Sequence, residues 1–315
     1  MKRKQSGSKI MMRLIKLVKP LAFFMVLAVI LGVTGFLCAI QITVLGSMTL
    51  LTAAGINGGL AIKTGCICII IFAVLRGFLH YGEQACNHYI AFKLLAIIRD
   101  KVFKSLRRLT PAKLEGKDKG NLISLITSDI ELLEVFYAHT ISPICIAFLT
   151  SLVMLIFIGR YSIWLMLVAL AAYITVGIII PLVSSKFNKN IGMTYRENSG
   201  ALSGYVLDSM RGLLESIRYN STDTRLNEMN EKTDELNSLQ KKLKKIEGRN
   251  ISITDISIIF FSITMLLVAI CLYQKGTIGF DGLIVSTVAM MSSFGPVAAL
   301  SNLAGNLTHT LASGE

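Results

Sequence analysis

Six uninterrupted apolar stretches constrain this chain more than any other feature of its sequence. They lie at about 21–51, 60–82, 141–159, 162–184, 251–274 and 282–308. Each approaches or exceeds the roughly 20 apolar residues that an α-helix needs to cross a bilayer. Only 16% of the 315 residues are charged, whereas soluble domains average about 25%. The sequence therefore predicts a membrane protein with six spans and excludes an ordinary soluble enzyme.

The basic residues are distributed very unevenly between the two sides of the predicted spans. The chain has 32 Lys and Arg against 19 Asp and Glu. Only Lys63, Arg160 and Lys275 fall in the three short connections, and Arg76 lies inside a span. All the others lie in residues 1–20, 83–140 and 185–250. By the positive-inside rule these segments, and with them the N-terminus, are predicted to be cytoplasmic. The excess of basic residues thus indicates how the chain is oriented in the cytoplasmic membrane, where membrane lipid surrounds it. No nucleic-acid partner is expected.

The two long cytoplasmic segments are predicted to be helical rather than loop-like. Proline occurs only at positions 20, 111, 143, 181 and 296, and helix-forming residues dominate between Leu60 and Thr110. A helix over 60–110 would be about 75 Å long, far more than the bilayer core of about 30 Å. The predicted helices cover 60–110, 121–159, 162–215 and 225–274, with tips near 111–121 and 217–226. The predicted fold class is an all-α membrane protein with six transmembrane helices and long cytoplasmic helical extensions.

Two segments beside the predicted tips carry the pattern of a known family. Residues 120–131 are GNLISLITSDIE, residues 197–205 are ENSGALSGY, and residues 212–218 are GLLESIR. In this order and spacing the chain resembles the transmembrane domain of ABC exporters, the half-transporters with long intracellular stalks. It departs from the pattern at Leu125, where arginine is common. The resemblance covers essentially the whole chain, which divides into a cytoplasmic segment 1–20 and a transmembrane domain 21–315.

A narrower resemblance concerns residues 129–137 and the pair Ser142-Pro143. They are similar to the subunits of cysteine and glutathione exporters that are linked to cytochrome bd assembly. Lipid and drug exporters share much of this pattern, so the substrate stays open between a small thiol and a lipid, drug or peptide. The resemblance also implies a second half-transporter as a partner, in a homodimer or a heterodimer.

The sequence contains no G-x-x-x-x-G-K-[ST] phosphate loop. ATP and Mg²⁺ are therefore expected in an associated nucleotide-binding domain, and no cofactor is expected in this chain. That domain is either a separate polypeptide or a later part of a longer chain, and the end at Ser313-Gly314-Glu315 favours the longer chain. No catalytic residues are predicted. No metal site is predicted either, because none of the six cysteines has zinc-ligand spacing.

The predicted tips combine polar, helix-breaking residues with an apolar or aromatic anchor. By resemblance they form short helices that dock on the nucleotide-binding domain and couple it to the membrane helices. The predicted coupling residues are Leu114, Glu115, Gly116, Lys117 and Asp118 at the first tip, and Tyr219, Asn220, Ser221, Thr222 and Asp223 at the second.

A polar stripe on the second span predicts part of a substrate pathway. Its members at i, i+4, i+7 and i+11 are Arg76, His80, Glu83 and Asn87. Ionisable residues at membrane depth generally mark pathways. Arg76 would neutralise the carboxylate of an anionic substrate; alternatively, Arg76 pairs with Glu83 and only fixes helix packing. The other predicted pathway residues are Gln41 on the first span and Asn302, Asn306 and His309 on the sixth.

The sequence favours the permease part of an ATP-driven ABC exporter that works by alternating access. A six-span secondary transporter is the main alternative, but such proteins typically have helices broken at mid-membrane. A receptor or scaffold whose stalks hold another partner is the third possibility.

Overall fold

The computed structural model describes residues 19–56, 60–109 and 140–314, all in helices and short connections. For residues 19, 109, 185–190, 193, 196 and 301–314 only the course of the backbone is described. After a 3₁₀ turn at Lys19–Leu21, the helices are α1 (Ala22–Ala53), α2 (Ile62–Leu109), α3 (Ser142–Gly159), α4 (Ile163–Ile174), α5 (Ile180–Arg211), α6 (Leu213–Arg218), α7 (Thr222–Gln274) and α8 (Phe280–Gly314).

Six helical segments are long and apolar enough to cross a membrane. They are α1, α2, α3, the segment Ile163–Ser184 formed by α4 and the start of α5, α7, and residues Phe280–Leu300 of α8. This confirms the predicted all-α class with six spans. At 48 and 53 residues, α2 and α7 are about 72 and 80 Å long, so each extends far beyond the bilayer core.

The fourth span differs from the single regular helix predicted over 162–215. A π-helical turn at Thr175–Ile179 separates α4 from α5, and Pro181 follows in the first turn of α5. Proline donates no backbone hydrogen bond, and its ring crowds the carbonyl four residues earlier. The wider turn relieves that conflict without interrupting the span. At the other end, α5 stops at Arg211 because Gly212 leaves the helical conformation.

The main hydrophobic core lies among α1, α3, α4, α7 and α8. Its fully buried members include Ile40, Ile158, Leu165, Met265 and Met290. One buried polar pair joins the core: the Tyr173 hydroxyl lies 2.5 Å from Ser293 Oγ, between α4 and α8. Helix α2 contributes little to this core, since only 6% of its apolar window is buried, and it packs chiefly along α1.

Candidate functional site

The short helix α6 forms the tip of the second stalk, between α5 and α7. Asn220 adopts a left-handed conformation, φ 51°, which asparagine tolerates better than most residues. The backbone N–H of Ser221 then donates to the carbonyl of Ser216 at 2.9 Å. These residues reverse the chain and direct it into α7, which packs back along α5.

The tip presents an apolar surface that no other described residue covers. We call this surface the tip patch. Its members, with their exposed fractions, are Leu213 (54%), Leu214 (69%), Ile217 (59%) and Tyr219 (82%). Contiguous exposed apolar surface of this kind marks an interaction site. Of the predicted coupling residues, the structure places Tyr219 in this patch, Asn220 and Ser221 in the turn that follows, and Thr222 and Asp223 in the first turn of α7.

The sequence prediction missed the three aliphatic members of the tip patch. They lie just before the predicted segment, inside the motif at 212–218. Gly212 was the signal that could have moved the tip earlier, since glycine commonly ends helices. The first predicted tip, with Leu114, Glu115, Gly116, Lys117 and Asp118, lies outside the described residues.

Tyr205 braces the two helices of the second stalk just above the tip. Its hydroxyl donates to Glu228 Oε2 at 2.7 Å, and the ring faces the cationic groups of Arg225 and Lys232 at 5.8 and 5.5 Å. Arg225 also donates to Ser209 Oγ at 3.2 Å. The hydrogen bond to Glu228 raises the pKa of Tyr205 above its ordinary value. These contacts fix the register of α5 against α7 where the tip patch begins.

The predicted polar stripe on α2 is partly exposed and partly buried. Arg76 and His80 are exposed, whereas Glu83 and Asn87 are buried. Nδ1 of His80 lies 3.2 Å from Glu83 Oε2, and Asn87 Nδ2 donates to Glu83 Oε1 at 3.4 Å. Arg76 makes no ion pair with Glu83 or with any other residue that the structure describes. The stripe therefore contains a cation that has no ion pair among the described residues and a separate, buried carboxylate cluster.

Glu83 is buried because α1 approaches α2 closely at Gly32. A Cβ atom at position 32 would lie 3.3 Å from the carboxyl carbon of Glu83 and would overlap the side chain of Ile146 on α3. A larger residue at this crossing would force the Ile146 side chain to shift. Three helices thus meet around the carboxylate, which explains its burial.

The other predicted pathway residues are not brought together with this cluster by the described geometry. Gln41 is half-buried on α1. Asn302, Asn306 and His309 lie on α8, but their side chains fall outside the described part of the chain. Within the ranges described, no group of three or more His, Cys, Asp or Glu is arranged to hold a metal ion.

A cavity of about 460 Å³ lies between α3, α4 with the following π-helical turn, and α8. Its walls are formed mainly by aliphatic and aromatic side chains, including Phe148, Leu152, Ile174 and Val297. Tyr173 and two small hydroxyl residues, Thr140 and Ser151, supply the polar side chains of the lining. A cavity of this size and polarity suits an apolar group.

Six helices long and apolar enough to span a membrane, with a described stalk that ends in an exposed apolar tip, are the architecture of a transporter membrane domain. The family model for the ABC transporter transmembrane region matches residues 21–297. The chain therefore belongs to this family, as the membrane domain of an ABC exporter.

Three curated proteins illustrate the range of its relatives. A probable ABC transporter ATP-binding/permease protein of Haemophilus influenzae is 44% identical over 312 residues, covering 99% of this chain and 56% of that protein. An ATP-dependent lipid A-core flippase of Shewanella frigidimarina is 29% identical over 39% of this chain and 20% of its own length. The glutathione/L-cysteine transport system ATP-binding/permease protein CydD of Bacillus subtilis is 25% identical over 62% and 34%. The chain thus spans little more than half of the Haemophilus relative and less of the others.

Proposed function

We propose that this chain is the permease part of an ATP-driven exporter, and that the tip patch docks on a nucleotide-binding domain. The observation that carries the proposal is the exposure of Leu213, Leu214, Ile217 and Tyr219 at the end of a braced stalk. Full burial of one large aliphatic side chain stabilises a contact by about 1.5–3 kcal/mol. The chain has no phosphate loop, so ATP and Mg²⁺ bind to the partner domain.

The stalk geometry supports transmission of movement from that domain to the membrane. Helices α5 and α7 are continuous from the tip into the fourth and fifth spans, and the contacts of Tyr205 hold them in register. A change in the position of the docked domain would therefore move both spans together. If nucleotide binds more tightly to one position of the docked domain than to another, it would shift the spans between two conformations and so drive alternating access.

A second half-transporter, identical or related, is the other proposed partner. The support is the apolar surface of α2, where Ile70, Val74 and Phe78 are exposed over 56–72% of their area. Lipid tails alone would cover such a surface, but Arg76 and His80 lie among these residues. Polar groups at membrane depth generally face a bundle interior or a water-filled cavity. The second half would enclose them.

The proposed location is the cytoplasmic membrane, with the N-terminus and the tip patch in the cytoplasm. The concentration of Lys and Arg in residues 1–20, 83–140 and 185–250 supports this orientation.

For the substrate we propose a small thiol that carries a carboxylate, such as cysteine or glutathione, as named for the systems to which CydC and CydD belong. The supporting observation is Arg76, an exposed cation without an ion pair among the described residues. It is available to neutralise a substrate carboxylate.

A lipid is the second candidate, because the cavity between α3, α4 and α8 is almost wholly apolar. Relatives named as ATP-dependent lipid A-core flippases support a lipid substrate in the same way that the CydC and CydD relatives support a thiol.

Uptake into inverted membrane vesicles tests the function and separates the two substrates. Vesicles that contain the assembled transporter would receive ATP and either labelled glutathione, labelled cysteine or a fluorescent lipid. We expect ATP-dependent thiol uptake that Arg76→Ala abolishes and that Lys275→Ala, in the short connection before α8, leaves intact. Lipid movement that is insensitive to Arg76→Ala would support the second candidate. ATP-independent transport of either compound would contradict the proposed function itself.

A further inference from the structure

Glu83 is a buried carboxylate at the cytoplasmic end of the second apolar run, with few charged groups near it among the described residues. It is only 5% exposed. The helices packed around it at Gly32 and Ile146, α1 and α3, contain no Lys, Arg, His, Asp or Glu; their only titratable groups are Cys38 and Cys145. Arg76, on the same helix as Glu83, makes no ion pair with it. A buried carboxylate is costly unless polar groups or a small cationic ligand compensate it.

His80 connects this buried carboxylate to the exposed surface of α2. The side chain of His80 is 64% exposed, whereas that of Glu83 is 7% exposed, and Nδ1 of the ring lies 3.2 Å from Glu83 Oε2. A histidine has two ring nitrogens, so one can accept a proton from outside while the other donates to a partner. The pair therefore has the geometry of a relay from an exposed surface to a buried acceptor.

Asn87 supplies a second, independent observation beside Glu83. Its side chain is 3% exposed, its Nδ2 donates to Glu83 Oε1 at the long distance of 3.4 Å, and its Oδ1 has no hydrogen-bond partner among the described residues. A buried polar atom without a partner is costly. A side-chain amide offers a donor to a carboxylate and, after a half-turn, an acceptor to a carboxylic acid. Asn87 can therefore stabilise both forms of Glu83.

We propose that His80, Glu83 and Asn87 form a proton-binding site in the second span, at which Glu83 takes up one proton through His80. The proton from solution binds Nε2 of His80, and the proton on Nδ1 moves to Oε2 of Glu83. The products are a neutral imidazole protonated at Nε2 and a neutral carboxylic acid. Asn87 then turns its Oδ1 towards the new hydroxyl. The burial of Glu83 and Asn87 favours a ligand as small as a proton over an organic cation.

Infrared difference spectroscopy of the full chain in lipid nanodiscs, between about pH 4 and pH 9, tests this site. We expect acidification to produce the C=O band of a protonated carboxylic acid that Glu83→Gln lacks and that Asp255→Asn retains. Asp255 is a matched control because it is an exposed carboxylate near the start of the fifth span. Identical band intensity in wild type and Glu83→Gln at every pH would overturn the proposal.

The relay through His80 is tested by the rate at which this band responds to transfer into D₂O. His80→Gln should keep the band but slow its isotope exchange by about 10² or more, the usual contribution of a positioned acid–base group. Unchanged exchange would overturn the relay. Where Glu83→Gln does not fold, Glu83→Asp keeps a carboxyl group on a shorter side chain and should shift the frequency of the band. A band left in place by Glu83→Asp would contradict its assignment to this residue.

Discussion

Replacement of Leu214 by serine should weaken docking of the nucleotide-binding domain without affecting the membrane helices. Leu214 retains 69% of its exposure in the tip patch, and full burial of leucine contributes about 1.5–3 kcal/mol. Covering the exposed part would therefore contribute about 1–2 kcal/mol, and its loss would raise the Kd by about 5- to 30-fold.

The assay titrates the membrane chain in nanodiscs with the purified nucleotide-binding domain of the same transporter and follows fluorescence anisotropy. Leu207→Ser is the matched control, because Leu207 is 48% exposed but lies on α5, before the tip. Its Kd should stay within about twofold of wild type, since it lies outside the proposed interface. Equal weakening by both substitutions, or no weakening by Leu214→Ser, would refute the assignment of the tip patch as the docking surface.

Three further predictions concern stability. Gly32→Ala should lower the free energy of unfolding by about 1–3 kcal/mol, because the added Cβ overlaps the side chain of Ile146. Thermal unfolding in detergent measures this change. Gly46→Ala is the control and should have little effect, because no atom lies within 4 Å of a Cβ at that position. Tyr173→Phe should cost about 0.5–1.5 kcal/mol, and a double-mutant cycle with Ser293→Ala should show coupling; strict additivity would contradict the hydrogen bond. The raised pKa of Tyr205 implies that its contribution to the stalk is complete below the ordinary tyrosine pKa of about 10 and is lost as the pH rises through the higher folded value. Helix content of the stalk, followed by circular dichroism, should fall in that range in wild type and change less in Tyr205→Phe.

The architecture followed from the sequence because it depends on features that act along one helix. Apolar runs of sufficient length specify spans, and the absence of proline between 60 and 110 allows α2 to continue beyond the membrane to Leu109. The π-helical turn before Pro181 was not predicted. The wider turn relieves a clash between the Pro181 ring and the preceding turn of the helix. The sequence alone does not say whether a helix with such a proline bends, ends or widens.

The candidate sites could be predicted only in part, because they depend on contacts between helices. The motif at 212–218 located the second stalk tip, but a helix of six residues is too short to show periodicity, so Leu214 and Ile217 were missed. On α2, helical spacing correctly grouped Arg76 with Glu83 on one helix. Their different environments arise from the close approach of α1 at Gly32, which no pattern within α2 contains.

Photo-crosslinking from the tip patch tests the central claim most directly. Benzoylphenylalanine would replace Tyr219, the most exposed member of the patch at 82%, in the assembled transporter in native membranes. Irradiation should join this position to the nucleotide-binding domain, as mapped by mass spectrometry, and Leu214→Ser in the same background should reduce the yield. Adducts that form only with lipid or with other proteins would contradict the account of this chain as a membrane domain driven through its stalk tip.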